Sequence, residues 1–399
     1  MQSPWKNDFP ALKISPQKAR ISYLDSAATC QVPQVVIDEV STYLTNGQGN
    51  AGRGMHGLSE NASSRIDHCR KTVAQFIGCH TEQVIFTKGA TESINLVAAS
   101  LREQLKPNDS ILVTALEHHS NLLPWQRLSK QTGARINILP IDSNGNVETD
   151  SLEPLLQDSC QLLAITHGSN VLGNHPDVEY LIKTASEFGV KTLLDGAQAV
   201  SHIPLNLADL GCDYYVFSGH KLYSVGGSGV LFCKEHKTLE PLLLGGGIVA
   251  KTTLERYQLI DSPNRMEAGS ANLASLVGLA KAIEYVNSIG LDKIGQHEKR
   301  VTDYLKSEIE GKTQFKIISH PSSNSLVSFL HPSIHCHDVA AFLASKNVAV
   351  RAGHHCAQPC LNSIGVKHCV RASVGLYNDF EDVDQLIDGL LLVEQSGLG

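Results

Sequence analysis

The sequence predicts an α/β protein with one large, mostly parallel seven-stranded sheet and a smaller α+β domain toward the C-terminus. Two observations carry this prediction. Short runs rich in Val, Ile and Leu recur seven times in the first two thirds of the chain, and stretches with the period of a helix separate several of them. Continuously apolar strands that alternate with helices are typical of a sheet covered on both faces.

The seven runs give the strands of the large sheet in chain order, within a large domain that we expect over residues 21–265. The gap between the last two runs is too short for a helix, so we expect that pair to be antiparallel. The runs cover residues 84–86, 111–113, 136–139, 162–165, 192–194, 214–217 and 229–232, and the helix-period stretches cover residues 92–105, 124–133 and 178–189.

The rest of the chain predicts a smaller domain that contains both helices and strands. Helices and strands are less regularly interleaved here, which is typical of an α+β arrangement. We expect this domain over residues 266–399, with residues 1–20 packed against it. The predicted helices cover residues 274–288, 292–310, 337–346 and 382–394, and the predicted strands lie near residues 326–330, 348–351 and 370–374.

Length, charge and composition exclude several classes of protein. The chain has 399 residues, of which 42% are hydrophobic and 18% charged, as in a folded globular protein. Its 33 basic and 40 acidic side chains give a net charge of −7, which argues against nucleic acid or an anionic membrane as the main partner. No apolar run is long enough to span a bilayer, and the first ten residues show no signal segment, so we expect a cytoplasmic protein.

A lysine and an aspartate follow two of the predicted strands. Lys221 ends the segment Ser218-Gly-His-Lys, and a lysine at a strand end can have a lowered pKa and form a Schiff base. Asp195 ends another strand, where a poorly solvated carboxylate needs a cationic partner such as a protonated pyridine nitrogen. Gln198 follows it and can donate to a hydroxyl group on such a ring. The alternatives are a surface lysine in a loop and an aspartate that caps a helix.

Three further segments at strand ends carry polar groups. Residues 86–93 run from a strand into a helix, where backbone N–H groups and the Thr91 hydroxyl can bind a phosphate, although an ordinary N-cap predicts the same residues. His118 can stack on a planar cofactor and exchange protons, and its alternatives are a metal ligand and a surface histidine. Asn170 can bind a substrate carboxylate or form a turn.

One of the ten cysteines differs from the others in its surroundings. Most lie among apolar neighbours and are predicted to be small buried hydrophobes. Cys356 follows Arg351 and two histidines, which favour the nucleophilic thiolate, and Arg371 can clamp a substrate carboxylate. The same region holds six possible zinc ligands, but they include no Cys-x-x-Cys pair, so we predict no metal site. The six are His354, His355, Cys356, Cys360, His368 and Cys369.

Five ordered motifs resemble those of the group II cysteine desulfurases of the SufS and CsdA type, which are class V, fold-type-I enzymes that use pyridoxal 5′-phosphate (PLP). They are Gly89-Ala-Thr-Glu, Glu117-His-His-Ser-Asn, Asp195-Gly-Ala-Gln, Ser218-Gly-His-Lys and Arg351-Ala-Gly-His-His-Cys-Ala. The resemblance runs from near Tyr23 to the C-terminal helix. It implies that Lys221 binds the cofactor covalently. Asp195 and Gln198 would contact the cofactor ring, with His118 stacked on it, and the cofactor phosphate would be held by Ala90, Thr91, Ser218 and His220. The substrate carboxylate would be bound by Asn170, Arg351 and Arg371.

The resemblance also implies an activity and partners. Members convert L-cysteine into L-alanine, which makes Cys356 the residue that receives the sulfur as a persulfide. The sulfur would pass to a SufE-like acceptor protein for iron–sulfur cluster assembly or related sulfur trafficking. The enzymatic alternative is a selenocysteine lyase or cysteine sulfinate desulfinase, which releases selenium or sulfite without a thiol nucleophile. The other alternative is a Cys/His metal-binding or sulfur-carrier scaffold without turnover.

The sequence departs from the family pattern in four places. Members are homodimers in which a Glu-Ala-Gly-Thr-Pro-Asn segment reaches the neighbouring subunit's phosphate, and here that segment reads Glu267-Ala-Gly-Ser-Ala-Asn, which gives this role to Ser270. The segment after the lysine reads Tyr223-Ser-Val-Gly-Gly instead of Tyr-Gly-Pro-Thr-Gly. Gly52 stands where relatives often have His, and Ala90 stands where Thr is usual. None of these changes removes a group that the reaction needs, so we expect effects on turnover, partner choice or substrate range.

Overall fold

Fifteen strands and twelve α-helices form in the part of the chain that the structure, a computed structural model, describes: residues 2–13, 20–52 and 54–396. The strands are β1 (Ser22–Tyr23), β2 (Val84–Thr87), β3 (Ser110–Thr114), β4 (Arg135–Leu139), β5 (Cys160–Thr166), β6 (Lys191–Asp195), β7 (Tyr214–Ser218), β8 (Gly229–Cys233), β9 (Val249–Thr252), β10 (Tyr257–Leu259), β11 (Lys316–Ile317), β12 (Leu326–Leu330), β13 (Val348–Ala349), β14 (Arg351–Gly353) and β15 (Cys369–Ser373). The helices are α1 (Gln34–Thr45), α2 (Gly57–Ile77), α3 (Ala90–Leu101), α4 (Leu123–Thr132), α5 (Leu152–Gln157), α6 (Val178–Glu187), α7 (Leu207–Leu210), α8 (Leu273–Ile289), α9 (Leu291–Lys312), α10 (Cys336–Ser345), α11 (Gln358–Ser363) and α12 (Phe380–Gln395).

The large sheet has seven strands in the order β2-β8-β7-β6-β5-β3-β4. All neighbouring pairs are parallel except those made by β8, which is antiparallel to both β2 and β7. The predicted α/β class, the seven strands and the antiparallel last pair are therefore confirmed.

Both faces of this sheet are covered, which explains why the central part of most of its strands is apolar. Along β3, Leu112 packs into the core on one face, while Ile111 and Val113 pack into the core on the other. Side chains of α2, α6 and α8 complete the first core, and those of α3 and α4 complete the second. Successive residues of a strand point to opposite faces, so each strand contributes to both cores.

The strand directions bring five chain segments to one edge of the sheet. Strands β3, β5, β6 and β7 are mutually parallel, and β2 runs in the same direction because β8 is antiparallel to β2 and to β7. The residues that follow these five strands therefore lie along the same edge. Ligands of open α/β sheets bind outside the carboxyl ends of the strands, which makes this edge the place to look for a site.

A second sheet, in the order β11-β12-β15-β14, is antiparallel and shares a separate core with α9, α10 and α12. The predicted strand at residues 348–351 is divided here, because β13 pairs in parallel with the N-terminal strand β1 while β14 pairs with β15. Leu24, which follows β1, is buried in the core of the second sheet. The start of the chain thus packs with its C-terminal part.

The packing places α8 differently from the sequence prediction, which puts it in the smaller domain. The helix lies against α1 and α2, and its apolar face belongs to a core of the large sheet. We therefore propose that the two packing units divide near Gly290, between α8 and α9, rather than between residues 265 and 266.

The described part of the predicted N-terminal segment contacts the start of α12. The Lys6 ammonium lies 3.1 Å from an Asp379 carboxylate oxygen and 2.8 Å from one of Asp382, and Arg20 pairs with the same two aspartates. Residues 1 and 14–19 of this segment lie outside the described residues. Within the described residues, no helix combines the length and the apolar character needed to cross a bilayer.

Candidate active site

A cavity of about 290 Å³ opens at the carboxyl edge of the large sheet. Segments of both packing units line it, since β14 and β15 contribute residues beside those from the ends of β3, β5, β6 and β7. Twelve of the thirteen residues singled out in the sequence line this one cavity: Ala90, Thr91, His118, Asn170, Asp195, Gln198, Ser218, His220, Lys221, Arg351, Cys356 and Arg371.

Lys221 and Asp195 hold opposite charges within this cavity. Lys221 ends the short 3-10 helix Gly219–Lys221, which follows β7, and Asp195 is the last residue of the neighbouring strand β6. Burial lowers the pKa of Lys221, and the negative charge of Asp195 opposes that change. Burial likewise raises the pKa of Asp195, opposed by the positive charge of Lys221. A lysine with a lowered pKa gives up its proton more readily and becomes a nucleophilic amine.

The turn after Asp195 is fixed by close packing. The amide N–H of Ala197 donates to the Asp195 carboxylate at 3.0 Å. A Cβ atom at Gly196 would lie only 2.1 Å from a ring carbon of the buried Tyr215, so no larger residue fits there. Gln198 donates one amide hydrogen to the carbonyl oxygen of Ala27 at 2.7 Å, which orients its side chain at the cavity wall. The carboxylate therefore has a fixed direction before any ligand binds.

The start of α3 supplies the features of an anion site. The N–H of Ala90 donates to the Ser218 hydroxyl at 2.8 Å, and the Thr91 hydroxyl lies 2.8 Å from that of Ser120. A Cβ atom at Gly229 would lie 2.3 Å from the Cα of Gly89, so this close approach of two backbones requires glycine. A helix N-terminus with free N–H groups and hydroxyls beside it favours a bound phosphate.

His118 is a neutral base at the cavity wall. Burial, and then the positive charge of Lys221, lower the pKa of His118 to about 4. Its Nδ1 atom accepts a hydrogen bond from the N–H of Ser120 at 3.0 Å, so the neutral ring carries its proton on Nε2. At neutral pH this imidazole is an uncharged ring, as stacking on a planar cofactor requires.

Glu117, to which the sequence gives no role, anchors the segment that holds His118. It is buried, and its carboxyl group accepts hydrogen bonds from the Thr114 hydroxyl and the Asn121 amide, both at 2.6 Å, and from the Thr166 N–H at 2.8 Å. Burial raises the pKa of Glu117 to about 8. The three bonds tie the end of β3 to the end of β5. The only signal in the sequence is an acidic residue within a motif at a strand end.

Two arginines and one aspartate form the cationic end of the cavity. Asp25, which the sequence also leaves without a role, accepts from Arg351 at 2.9 Å and from Arg371 at 3.2 Å. Arg371 is only 2% exposed and donates a second bond to the carbonyl oxygen of Asn170 at 2.8 Å, while its buried Nε has no partner among the described residues. Two guanidinium groups against one carboxylate leave a net positive charge, which attracts an anionic group of a ligand.

The loop after β14 presents the one exposed thiol of the ten cysteines, all of which are described. Both His355 and Cys356 have left-handed backbones, with φ of 51° and 54°, which is a strained conformation for these residues. The carbonyl oxygen of Cys356 accepts from the His119 N–H at 2.7 Å, and that of His355 accepts from the Asn170 side chain at 2.7 Å. These bonds hold the strained loop against the large sheet. Cys360, by contrast, is fully buried among apolar side chains.

Comparison with known proteins agrees with this arrangement. The family model for aminotransferase class V matches residues 22–386. The chain belongs to that family. A cysteine desulfurase of Cronobacter sakazakii is 39% identical over 395 residues, which cover 98% of this chain and 97% of the relative. The apo structure of a cysteine desulfurase from Thermococcus onnurineus superposes with a TM-score of 0.93, at 34% sequence identity over 99% of both chains. The structure of the Escherichia coli cysteine desulfurase CsdA, in its S-sulfonic acid form, superposes with a TM-score of 0.90, at 32% sequence identity over 98% of both chains. The predicted resemblance is confirmed.

Ser270 is the thirteenth residue singled out in the sequence, and it lies outside the cavity. It is exposed and lines a second cavity of about 290 Å³, where Leu242 and Leu243 contribute exposed apolar surface. Nearby Glu267 pairs with both guanidinium nitrogens of Arg70, at 2.8 and 2.9 Å. A fixed ion pair therefore precedes the exposed Ser270 segment.

Proposed function

We propose that this member of the class-V aminotransferase family is a PLP-dependent cysteine desulfurase, which converts L-cysteine into L-alanine and takes up the sulfur on Cys356. One observation carries the proposal: the exposed Cys356 lines the same cavity as Lys221 and Asp195. Movement of an amino group requires a lysine and a buried carboxylate, but it does not require a thiol. Transfer of sulfur does, because a thiolate is the nucleophile that attacks a sulfur atom.

The residues around the cavity fit PLP. Asp195 is a buried carboxylate suited to a pyridinium nitrogen, and the Thr91, Ser120 and Ser218 hydroxyls stand at the N-terminus of α3, where a phosphate can bind. Two residues at the cavity wall have buried nitrogen atoms without a partner among the described residues, Nε of Arg371 and Nδ1 of His355. When bound, PLP would supply an electron sink for negative charge at the substrate Cα.

The chain's own residues would act on L-cysteine in three ways. Arg351 and Arg371, with Asn170, would hold the substrate carboxylate at the cationic end of the cavity. Lys221, whose pKa is lowered by burial, would take the proton from the substrate Cα. The Cys356 thiolate would attack the substrate sulfur, so that an S–S bond forms as the Cβ–S bond breaks and the electron pair of that bond stays with the carbon skeleton.

Two features support the proposed partners. Because Ser270 is exposed and lies outside the cavity, it is placed to reach the PLP phosphate of a second subunit in a two-fold homodimer. Because Cys356 is exposed, its persulfide can be reached by the thiol of an acceptor protein, which we propose to be SufE-like.

The reaction itself tests this proposal. The PLP-loaded protein should form L-alanine and a persulfide from L-cysteine, in equal amounts for one turnover without a reductant and repeatedly with one. Cys356→Ser should keep the absorption spectrum of the bound cofactor but lose nearly all alanine formation. Its matched control, Cys360→Ser, should lose little because Cys360 packs in an apolar core. Absence of alanine from the unaltered protein would refute the function, and loss of activity only in Cys360→Ser would refute the assigned nucleophile.

Two further assays separate the alternatives. L-Selenocysteine should still be cleaved by Cys356→Ser, because selenium leaves without the thiol. Higher turnover of the unaltered protein on L-selenocysteine or L-cysteine sulfinate than on L-cysteine would assign it to one of those reactions instead. Borohydride reduction followed by peptide mapping should place the cofactor on Lys221, and an adduct on another lysine would contradict its role.

A further inference from the structure

Three side chains outside the cavity gather as a set of soft ligands. His335 and Cys336 stand at the start of α10, and His368 directly precedes β15. One ligand atom from each lies within 4.8 Å of the others. The rings of His335 and His368 are 4.2 Å apart between centroids, although both can carry a positive charge. The six ligands considered in the sequence are not gathered in this way, and only His368 belongs to both sets.

Cys336 is fixed in position by the start of α10. Its side chain is buried, and the residue occupies the first position of this ten-residue helix, where the helix dipole favours a negative charge.

We propose that His335, Cys336 and His368 form a zinc site with one open coordination position. Two imidazoles and one thiolate suit zinc, and they exclude magnesium and calcium, which take oxygen ligands. Zinc ligands stand closer together than the present separations, so the site closes by small side-chain movements. The Nδ1 atom of His335 accepts a weak 3.3 Å contact from the His337 N–H, which a metal ion bound at Nδ1 would replace.

The site lies at the base of the loop that carries Cys356. Gly353 ends β14 three residues before Cys356 and pairs with Cys369, the residue that follows His368. A bound zinc ion would link the start of α10 to the start of β15. None of the three ligands lines the proposed PLP cavity. The zinc proposal is therefore independent of the proposed function, and an experiment can refute either one without refuting the other.

Zinc binding to the full-length, PLP-loaded protein tests this inference. After dialysis against ZnCl₂ and then against buffer, elemental analysis should find one zinc per chain. His335→Ala, which changes an exposed side chain, and Cys336→Ser should each weaken zinc affinity by at least about tenfold. Cys79→Ser is the matched control, since it removes a partly exposed thiol elsewhere on the surface.

Cobalt provides a readout that does not depend on activity. Co²⁺ should give the visible bands of a tetrahedral site and a sulfur charge-transfer band, which Cys336→Ser removes and Cys356→Ser retains. The PLP spectrum and circular dichroism of each variant show whether it is folded. Less than one zinc per chain in the unaltered protein, or loss of zinc in Cys356→Ser but not in Cys336→Ser, would overturn the proposal. If Cys336→Ser does not fold, the zinc affinity of His335→Ala tests the proposal by itself.

Discussion

Replacing Glu117 by glutamine should change the stability of the protein by an amount, and with a sign, that depend on pH. The carboxyl group accepts from Thr114, Asn121 and Thr166, whereas a glutamine amide would point a donor at one of these donors. Reversal of the Asn121 amide does not relieve the conflict, because its oxygen already accepts from the Trp125 indole N–H at 3.0 Å. A buried donor without a partner costs roughly 1–3 kcal/mol at any pH.

The pH-dependent part follows from the pKa of Glu117. The pKa of this carboxyl group is about 8 in the folded protein, against an ordinary value of 4.5. Between these two pH values the folded protein retains the carboxyl proton, whereas the unfolded chain has lost it. The stability that this carboxyl group contributes is therefore full below pH 4.5 and is lost as the pH rises toward 8. The whole loss is about 5 kcal/mol, at ~1.4 kcal/mol per pH unit. Glutamine has no such loss, so the wild type should be the more stable protein near pH 5. The difference should fall as the pH rises and reverse before pH 8, because the loss of about 5 kcal/mol exceeds the cost of roughly 1–3 kcal/mol in the variant.

Urea unfolding followed by tryptophan fluorescence at several pH values measures this difference. The control is Glu153→Gln, which changes an exposed glutamate on α5. A gap between wild type and Glu117→Gln that stays constant from pH 5 to pH 8 would refute the raised pKa. A variant as stable as the wild type at every pH would refute the hydrogen-bond argument as well.

Three further changes test other parts of the site. Ser270→Asp should weaken PLP retention roughly tenfold by placing a carboxylate beside the neighbouring subunit's phosphate; dialysis with absorbance readings checks this, and equal retention in Ser270→Asp and Ser270→Thr would contradict the shared site. Gly196→Ala should cost about 1–3 kcal/mol and lower Tm because its methyl group would meet the Tyr215 ring, whereas Gly226→Ala, with no neighbouring atom within 4 Å, should leave Tm nearly unchanged in thermal denaturation. Asp25→Asn should raise KM for L-cysteine roughly tenfold, with less effect on kcat, because it weakens the ion pairs that orient Arg351 and Arg371. Unchanged steady-state kinetics would show that Asp25 is not needed to orient the two arginines.

The large sheet could be predicted because its strands, apart from the partly exposed edge strand β4, are buried on both faces. Such strands are apolar without interruption, so a run like that at β5 is visible in the sequence alone. Helix α2 was not predicted, since only part of its surface is buried and that part includes Ser59 and Arg70. Strand β1 has two residues and forms only through its pairing with β13, more than 300 residues later. A contact at that separation leaves no local pattern.

The candidate site, like the fold, could be predicted from the sequence only in part. Lys221 and Asp195 could be singled out because a polar residue at the end of a buried strand points to the functional edge of the sheet. The role of Asp25 could not, because it depends on contacts with residues 326 and 346 positions away in the chain. The histidine and cysteine set at α10 was missed for a similar reason. Its third ligand, His368, stands beyond the whole Cys356 loop, and ligand spacing reveals only sites whose residues are close in sequence.

The contacts of Asp25 join the first part of the chain to be synthesised to one of the last. A nascent chain that stops at residue 345 already contains every strand of the large sheet, together with Lys221 and Asp195. It lacks Arg351, Arg371 and Cys356, so Asp25 has neither of its cationic partners and sulfur has no acceptor on the chain. Ribosomes that abort late would thus release a product with most of the proposed cofactor contacts and no means of accepting sulfur.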